Sequence, residues 1–217
     1  MDVLVVGAHG AVGQHVTRLL AEHEDHTAYG MVRKPAYEDD IEALGATAVR
    51  GDVVDRSSLD DAFEGRDAVI FAAGSSGEDV WGVDCEGAKH CVDAAAAHGV
   101  RRFVMLSSMG ADAPTEGPEE LQEYLAAKAE ADDYLRDSDL TWTVVRPGAL
   151  TDEPGTGEVR TGPDLDWEAE SGASIPREDV AATLVTALPT ASTHGVTFEL
   201  LSGETPIERA LRNPLSA

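Results

Sequence analysis

Lysine is nearly missing from this chain. Of 217 residues only Lys34, Lys89 and Lys128 are lysines, and 16 Lys and Arg stand against 41 Asp and Glu, a net charge of -25. A field of that sign repels phosphate backbones, which excludes nucleic acid as a partner. The acids are scattered through the chain rather than gathered in a tail, which marks a solvated acidic surface. Such acid-rich, Lys-poor surfaces resemble those of proteins from salt-loving organisms, where salt screens self-repulsion, so a halophilic source is expected. Cysteine is almost as scarce. Cys85 and Cys91 are six apart in one expected helix and point in different directions, a poor geometry for a disulfide, and both read as buried small apolar residues. No Cys/His cluster has metal-ligand spacing, so no metal is expected. No run approaches the ~18 apolar residues of a membrane span. Met1-Asp2 leads directly into Val3–Val6, without a basic segment followed by a long apolar one, so no signal peptide and a cytoplasmic location are expected.

What is present is a rhythm. Short apolar runs at Val3–Val6, Ala28–Val32, Thr47–Arg50, Ala68–Ala72, Phe103–Leu106, Thr141–Arg146 and Thr197–Leu201 read as strands. Several are apolar almost throughout, as parallel strands covered on both faces must be. Helical stretches lie between them at Val12–His23, Glu38–Leu44, Ser57–Phe63, Val83–His98, Glu119–Asp137 and Arg177–Leu188, with a short one at Pro206–Arg212. Ser57 reads as the cap of its helix, and Asp179 suits the dipole at the start of the sixth. This alternation predicts an α/β fold, a doubly wound parallel sheet of the Rossmann type, in one domain over 1–217. One stretch, 148–175, breaks the pattern with five Gly, two Pro and many acids. It reads as a substrate loop or lid after the sixth strand, where ligands meet the carboxyl ends of strands.

The motifs fall at strand ends. Gly7-Ala8-His9-Gly10-Ala11-Val12-Gly13 follows the first strand and opens the first helix. Gly7 permits a tight turn, Gly10 lets the backbone approach a pyrophosphate, and Gly13 lets helix and strand pack closely. The helix N-terminus offers unpaired N–H groups to phosphates. His9 reads as a loop residue at this site. Arg33-Lys34 ends the second strand, where a cation accommodates a 2′-phosphate; the plainer reading is a solubilising strand end. Asp52, beside Val53, either accepts a bond from an adenine amino group or caps a turn. Ala72-Ala73-Gly74 either lets a cofactor lie against backbone or forms a plain turn. Ser107-Ser108 ends the fifth strand, with a hydroxyl available to a substrate oxygen. Arg146-Pro147-Gly148 closes the sixth: the proline stops the strand and frees backbone groups for a nicotinamide, while Arg146 reads as a structural ion-pairing residue. On the fifth helix Tyr124 and Lys128 share a face one turn apart. An ammonium beside a phenol favours the phenolate and lowers the phenol's pKa, which would make Tyr124 a usable proton donor or acceptor.

Taken in order, these residues resemble the short-chain dehydrogenase/reductase superfamily. The G-x-x-G-x-x-G spacing at 7, 10 and 13 is that family's form. Gly99-Val100-Arg101-Arg102-Phe103-Val104, Ser107-Ser108-Met109-Gly110 and Thr143-Val144-Val145-Arg146-Pro147-Gly148 are similar to its atypical or extended branch, the NAD(P)-binding proteins related to nucleotide-sugar epimerases and to NmrA-like proteins. The chain is shorter than extended members, leaving no room for their C-terminal substrate domain. The resemblance implies Tyr124 as acid/base, Lys128 on the nicotinamide ribose, and Ser108 or Ser107 orienting a small-molecule carbonyl or alcohol. It also implies a cofactor held by Gly7, His9, Gly10, Ala11, Val12, Gly13, Arg33, Lys34, Asp52, Val53, Ala72, Ala73, Gly74, Lys128, Pro147 and Gly148, with NADP(H) favoured over NAD(H). A non-catalytic NADP(H) sensor and a nucleotide-sugar epimerase or dehydratase are the alternatives. Oligomeric state is not legible.

Overall fold

A computed structural model describes residues 1–165 and 173–216. Its strands are β1 (Asp2–Val6), β2 (Thr27–Val32), β3 (Thr47–Arg50), β4 (Ala68–Phe71), β5 (Arg102–Leu106), β6 (Thr141–Pro147), β7 (Ala149–Thr151), β8 (Glu158–Gly162), β9 (Ser174–Pro176), β10 (Val196–Ser202) and β11 (Thr205–Pro206). Its helices are α1 (Ala11–Ala21), α2 (Glu38–Ala43), α3 (Asp60–Phe63), α4 (Gly87–Ala97), α5 (Gln122–Arg136), α6 (Arg177–Ala187) and α7 (Ile207–Ala210). A nine-stranded sheet runs in the order β3-β2-β1-β4-β5-β6-β10-β8-β11. It is parallel from β3 to β10; β8 runs antiparallel to β10 and β11 antiparallel to β8.

The period of two in each strand feeds two apolar layers. Val3, Val5, Ile70, Val104 and Val145 face one side, against Val16 and Leu20 of α1 and Val180 and Leu184 of α6. Leu4, Val6, Val69, Phe71, Phe103 and Met105 face the other, against Phe63, Val92 and Leu135. Burying each such side chain stabilises the fold by roughly 1.5–3 kcal/mol. At the opposite end of the sheet from the glycine turn, Arg102 is buried with no carboxylate partner among the described residues. Its guanidinium donates to the carbonyls of Ala187 (2.9 Å), Leu188 (3.1 Å), Phe103 (3.2 Å) and Thr141 (3.0 Å), and to the hydroxyls of Thr143 (2.6 Å) and Thr193 (3.2 Å). Burial lowers its pKa to about 10.

The structure corrects several expectations. The span 148–175 is not irregular throughout. It contains β7, β8 and β9, and β8 extends the main sheet; residues 166–172 lie outside the described residues, and the lid reading falls partly on them. The segment expected to start a helix at Val83 begins as a π-helical stretch, Val80–Glu86, capped by Asp79, which accepts from the Gly82 N–H at 3.0 Å. Asp55, not Ser57, caps the turn before α3 by accepting from the Ser57 N–H at 3.1 Å. Asp179 does more than face a dipole: its carboxylate accepts the N–H groups of Thr156 (2.9 Å) and Gly157 (2.8 Å). Cys85 and Cys91 are buried and unpaired, as expected.

Candidate active site

The order of the sheet reverses at β1, whose neighbours are β2 and β4. That is where the carboxyl ends of strands leave a crevice. The chain fills this place with residues that cannot be larger. Gly7 takes φ +84°, and a β-carbon on it would lie 2.6 Å from the Ala73 backbone. Gly7 in turn accepts the Gly10 N–H through its carbonyl at 2.9 Å. Above this turn opens a cleft of about 440 Å³, lined among others by Gly7, His9, Gly10, Arg33, Val53, Ala72, Ala73 and Gly74. A dinucleotide fits it: α1 starts at Ala11 with Gly10 at its cap, presenting free N–H groups and the positive dipole end.

The end of the cleft beside β2 carries a small aromatic and cationic corner. His9 stacks on Tyr37, with ring centroids 3.8 Å apart, and its Nε2 lies 3.1 Å from Asp40 Oδ2. Arg33 is exposed and lines the cleft; Lys34 does not, and its ammonium lies 5.7 Å from the centroid of the Tyr37 ring. Asp52 is turned away into its own loop, accepting from the Val54 N–H at 3.2 Å, which supports the turn-capping alternative, while its neighbour Val53 faces the cleft. Of the remaining motif residues, Ala11 and Val12 begin α1, with Val12 in the core. Pro147 does not leave a free backbone group as expected, because its carbonyl accepts the Met109 N–H at 3.0 Å. Gly148 is pinned, since a β-carbon there would lie 2.4 Å from the Ala173 carbonyl oxygen. Ser76, the one described non-glycine residue with positive φ (+55°), also lines the cleft, and sequence patterning offers no sign of it.

Tyr124 and Lys128 do share a face of α5, but their relationship is not the expected one. Lys128 is 2 % exposed and donates to the Leu106 carbonyl at 2.7 Å. Burial, then the Asp84 carboxylate, pushes the Tyr124 phenol up to about 12, against the Ser108 hydroxyl, which favours the phenolate. The expected lowering by Lys128 is overturned: burial and a nearby acid set the phenol, and the ammonium is turned to the Leu106 carbonyl. The two serines also separate. The Ser108 hydroxyl donates to the Met109 carbonyl at 3.2 Å and is near enough to act on the Tyr124 phenol, whereas Ser107 points inward and donates to Asp132 Oδ2 at 2.8 Å. Ser107 is therefore structural, and adjacent residues at a strand end face opposite sides. Asp84 connects the halves of the site: it accepts the N–H (3.0 Å) and hydroxyl (2.7 Å) of Ser75 in the cleft wall and lies close enough to Tyr124 to act on it.

Asp84 and Asp132 were missed from sequence. Asp132 had a signal, standing four residues beyond Lys128 and eight beyond Tyr124 on one helix face; Asp84 had none beyond being an acid in an apolar stretch. Lys89, without an expected role, bridges Glu86 and Glu130. No described helix is long and apolar enough to cross a membrane.

Known proteins match this arrangement along the whole chain. The chain is 39% identical over 217 residues to the Bacillus subtilis (strain 168) protein called "Uncharacterized sugar epimerase YhfK", covering 98% of this chain and 99% of that protein. It superposes with a TM-score of 0.92, at 36% identity, on the structure of a Bacillus halodurans protein named for the NAD-dependent epimerase/dehydratase group, with 98% and 99% of the two chains covered. It is also 33% identical over 195 residues to "(4-alkanoyl-5-oxo-2,5-dihydrofuran-3-yl)methyl phosphate reductase" of Streptomyces griseus, covering 86% of this chain and 62% of that one. The model of the NAD(P)H-binding family matches residues 7–191, and the chain belongs to that family.

Proposed function

We propose that this protein is an NADP(H)-dependent oxidoreductase that exchanges a hydride with a small carbonyl or alcohol, with Tyr124 as the proton donor and acceptor. The observation that carries this reading is the buried Asp84, which accepts from Ser75 in the wall of the glycine-lined cleft and acts on Tyr124, with Ser108 and a fully buried lysine on the same side. Gly7, Gly10 and the start of α1 would hold the pyrophosphate and Arg33 the 2′-phosphate. Bound NADPH supplies the hydride. Ser108 orients the carbonyl oxygen, and Tyr124 delivers the proton to it as the hydride reaches the carbon. A phenol held at about 12 suits the reduction direction, in which it must start protonated.

The charges around Tyr124 favour a neutral substrate. The cations on this side are engaged: Lys128 with the Leu106 carbonyl, Arg146 with Asp132 and Asp112, Arg177 with Asp152. The loop entering α5 carries Asp112, Glu116, Glu119 and Glu120, and the first turn of the helix adds Glu123. A nucleotide sugar would bring its diphosphate against these acids, which argues against epimerase or dehydratase chemistry despite the names of relatives. The elevated Tyr124 supports one second reading, a cofactor sensor without turnover. NADPH oxidation with a panel of neutral ketones, aldehydes and quinones in molar salt separates the two. Turnover that falls roughly 10²–10⁴-fold in Tyr124→Phe, with NADPH binding intact, is the expected result. Binding without any turnover would leave the sensor.

A further inference from the structure

Four charged side chains are sealed below Tyr124. Lys128 and Asp84 are each 2 % exposed, Arg146 is 5 % and Asp132 0 % exposed. An isolated ion at that depth costs several kcal/mol, so such groups persist only when balanced. Here two cations meet two anions. Their bonds are unevenly shared. Asp132 Oδ2 receives Arg146 Nε at 3.0 Å, Arg146 Nη2 at 3.0 Å and the Ser107 hydroxyl at 2.8 Å, while Asp132 Oδ1 has no hydrogen-bond partner among the described residues. A protonated Asp132 would carry its proton on that bare oxygen with nothing to receive it. Burial pushes the Asp132 pKa up, and Arg146 and Lys128 act to keep it ionised.

Tyr124, Lys128 and Asp132 follow one another at four-residue steps along α5, so ammonium and carboxylate are neighbours on one face. Asp84 and Cys85 approach from the π-helical segment, and the Phe71 ring of β4 lies 5.7 Å from the ammonium. Burial lowers the Lys128 pKa; Asp132, then Asp84 and Cys85, oppose that.

We propose that Asp132, held by Arg146 and Ser107, is a positioning residue which together with Asp84 keeps the buried Lys128 ammonium charged, so that a fixed cation holds the Leu106 carbonyl, and with it the strand end that carries Ser108, at every working pH. This rests on the catalytic reading of Tyr124 and Lys128, yet the charge itself is measurable without turnover. Three lysines make the measurement simple. In protein labelled with ¹³Cε,¹⁵Nζ-lysine, Lys34→Arg and Lys89→Arg assign their own signals and leave Lys128.

The Lys128 signal in the parent should be that of an ammonium at neutral pH. In Asp132→Asn its midpoint should fall by about one pH unit or more. The kcat profile should gain an alkaline limb at that lower pH with KM unchanged, and Asp132→Glu should restore both. Should Asp132→Asn not fold, Asp84→Asn gives the same reading from the other side of the ammonium. A neutral Lys128 near pH 7 in the parent overturns the proposal. So does an Asp132→Asn protein whose Lys128 titration and pH profile match the parent while only Tm falls. A charged Lys128 in an enzyme whose turnover survives Tyr124→Phe leaves the charge balance standing and removes its catalytic purpose.

Discussion

Gly13 rests directly on Gly7: a β-carbon on Gly13 would stand 2.0 Å from the Gly7 carbonyl oxygen and 2.8 Å from its carbon. Gly10, between them in sequence, is different. A β-carbon there meets nothing closer than the Gly7 oxygen at 3.1 Å and otherwise faces the cleft. Two glycines of one motif are thus required for two reasons, one by the fold and one by whatever enters the cleft. Gly13→Ala should destabilise by about 1–3 kcal/mol, as overpacked sites do, which lowers Tm by roughly 2–4 °C per kcal/mol in a chain of this size. Gly10→Ala should melt close to the parent but bind NADPH at least about tenfold more weakly, a loss of ~1.4 kcal/mol. Thermal melts and a fluorescence titration with NADPH check both halves; full-strength binding by Gly10→Ala would reject the phosphate site.

Arg33 is exposed at the cleft edge, while Lys34 lies over Tyr37. Arg33→Asp should therefore erase a preference for NADPH over NADH, and Lys34→Ala should change it far less. Dissociation constants for the two cofactors provide the test. Equal affinities in the parent would remove Arg33 from the site.

The Tyr124 phenol is raised from 10.0 to about 12. The unfolded chain gives up this proton earlier than the folded one, so the stability tied to it is intact below pH ~10 and is lost as pH rises through ~12. Among the four tyrosines, the last phenolate phase in an ultraviolet titration should belong to Tyr124 and disappear in Tyr124→Phe. That variant should also lose less stability than the parent between pH ~10 and ~12 in urea melts. A Tyr124 that ionises with the exposed tyrosines would contradict the packing described.

A net charge of -25 repels itself across the surface, and salt screens that repulsion over about 10 Å at 0.1 M and about 3 Å at 1 M. Tm should rise between dilute buffer and molar potassium chloride. A fall over that range would count against a salt-adapted protein.

The legible parts of the sequence were those set by local backbone demands. Val3–Val6, Ala68–Ala72 and Phe103–Leu106 announce themselves because strands buried on both faces tolerate few polar residues. Gly7 announces itself because a left-handed turn against Ala73 admits only glycine. What stayed hidden depends on partners distant in the chain. Ser107 and Ser108 differ only in which side of the strand end they face, and nothing local fixes that side. Asp132 is an ordinary helical acid until Arg146 arrives to neutralise it. The strand Glu158–Gly162 is too short and too polar to stand out, and becomes a strand by pairing with Leu200 and Leu201. The lowered phenol expected from a lysine one turn away failed because the Lys128 ammonium turns to the Leu106 carbonyl while Asp84 lies close to Tyr124.

Arg102 bears on how the molecule comes apart. Its single guanidinium joins the last turn of α6, two neighbouring strands and the turn at Thr193, with bonds from a charged donor contributing roughly 1.5–3 kcal/mol each. Residues near 102, 143 and 190 are bound through one side chain, so the first half of the chain has no settled lower edge until the second half has docked. A fragment ending before Ala187 would leave a buried cation facing missing oxygens.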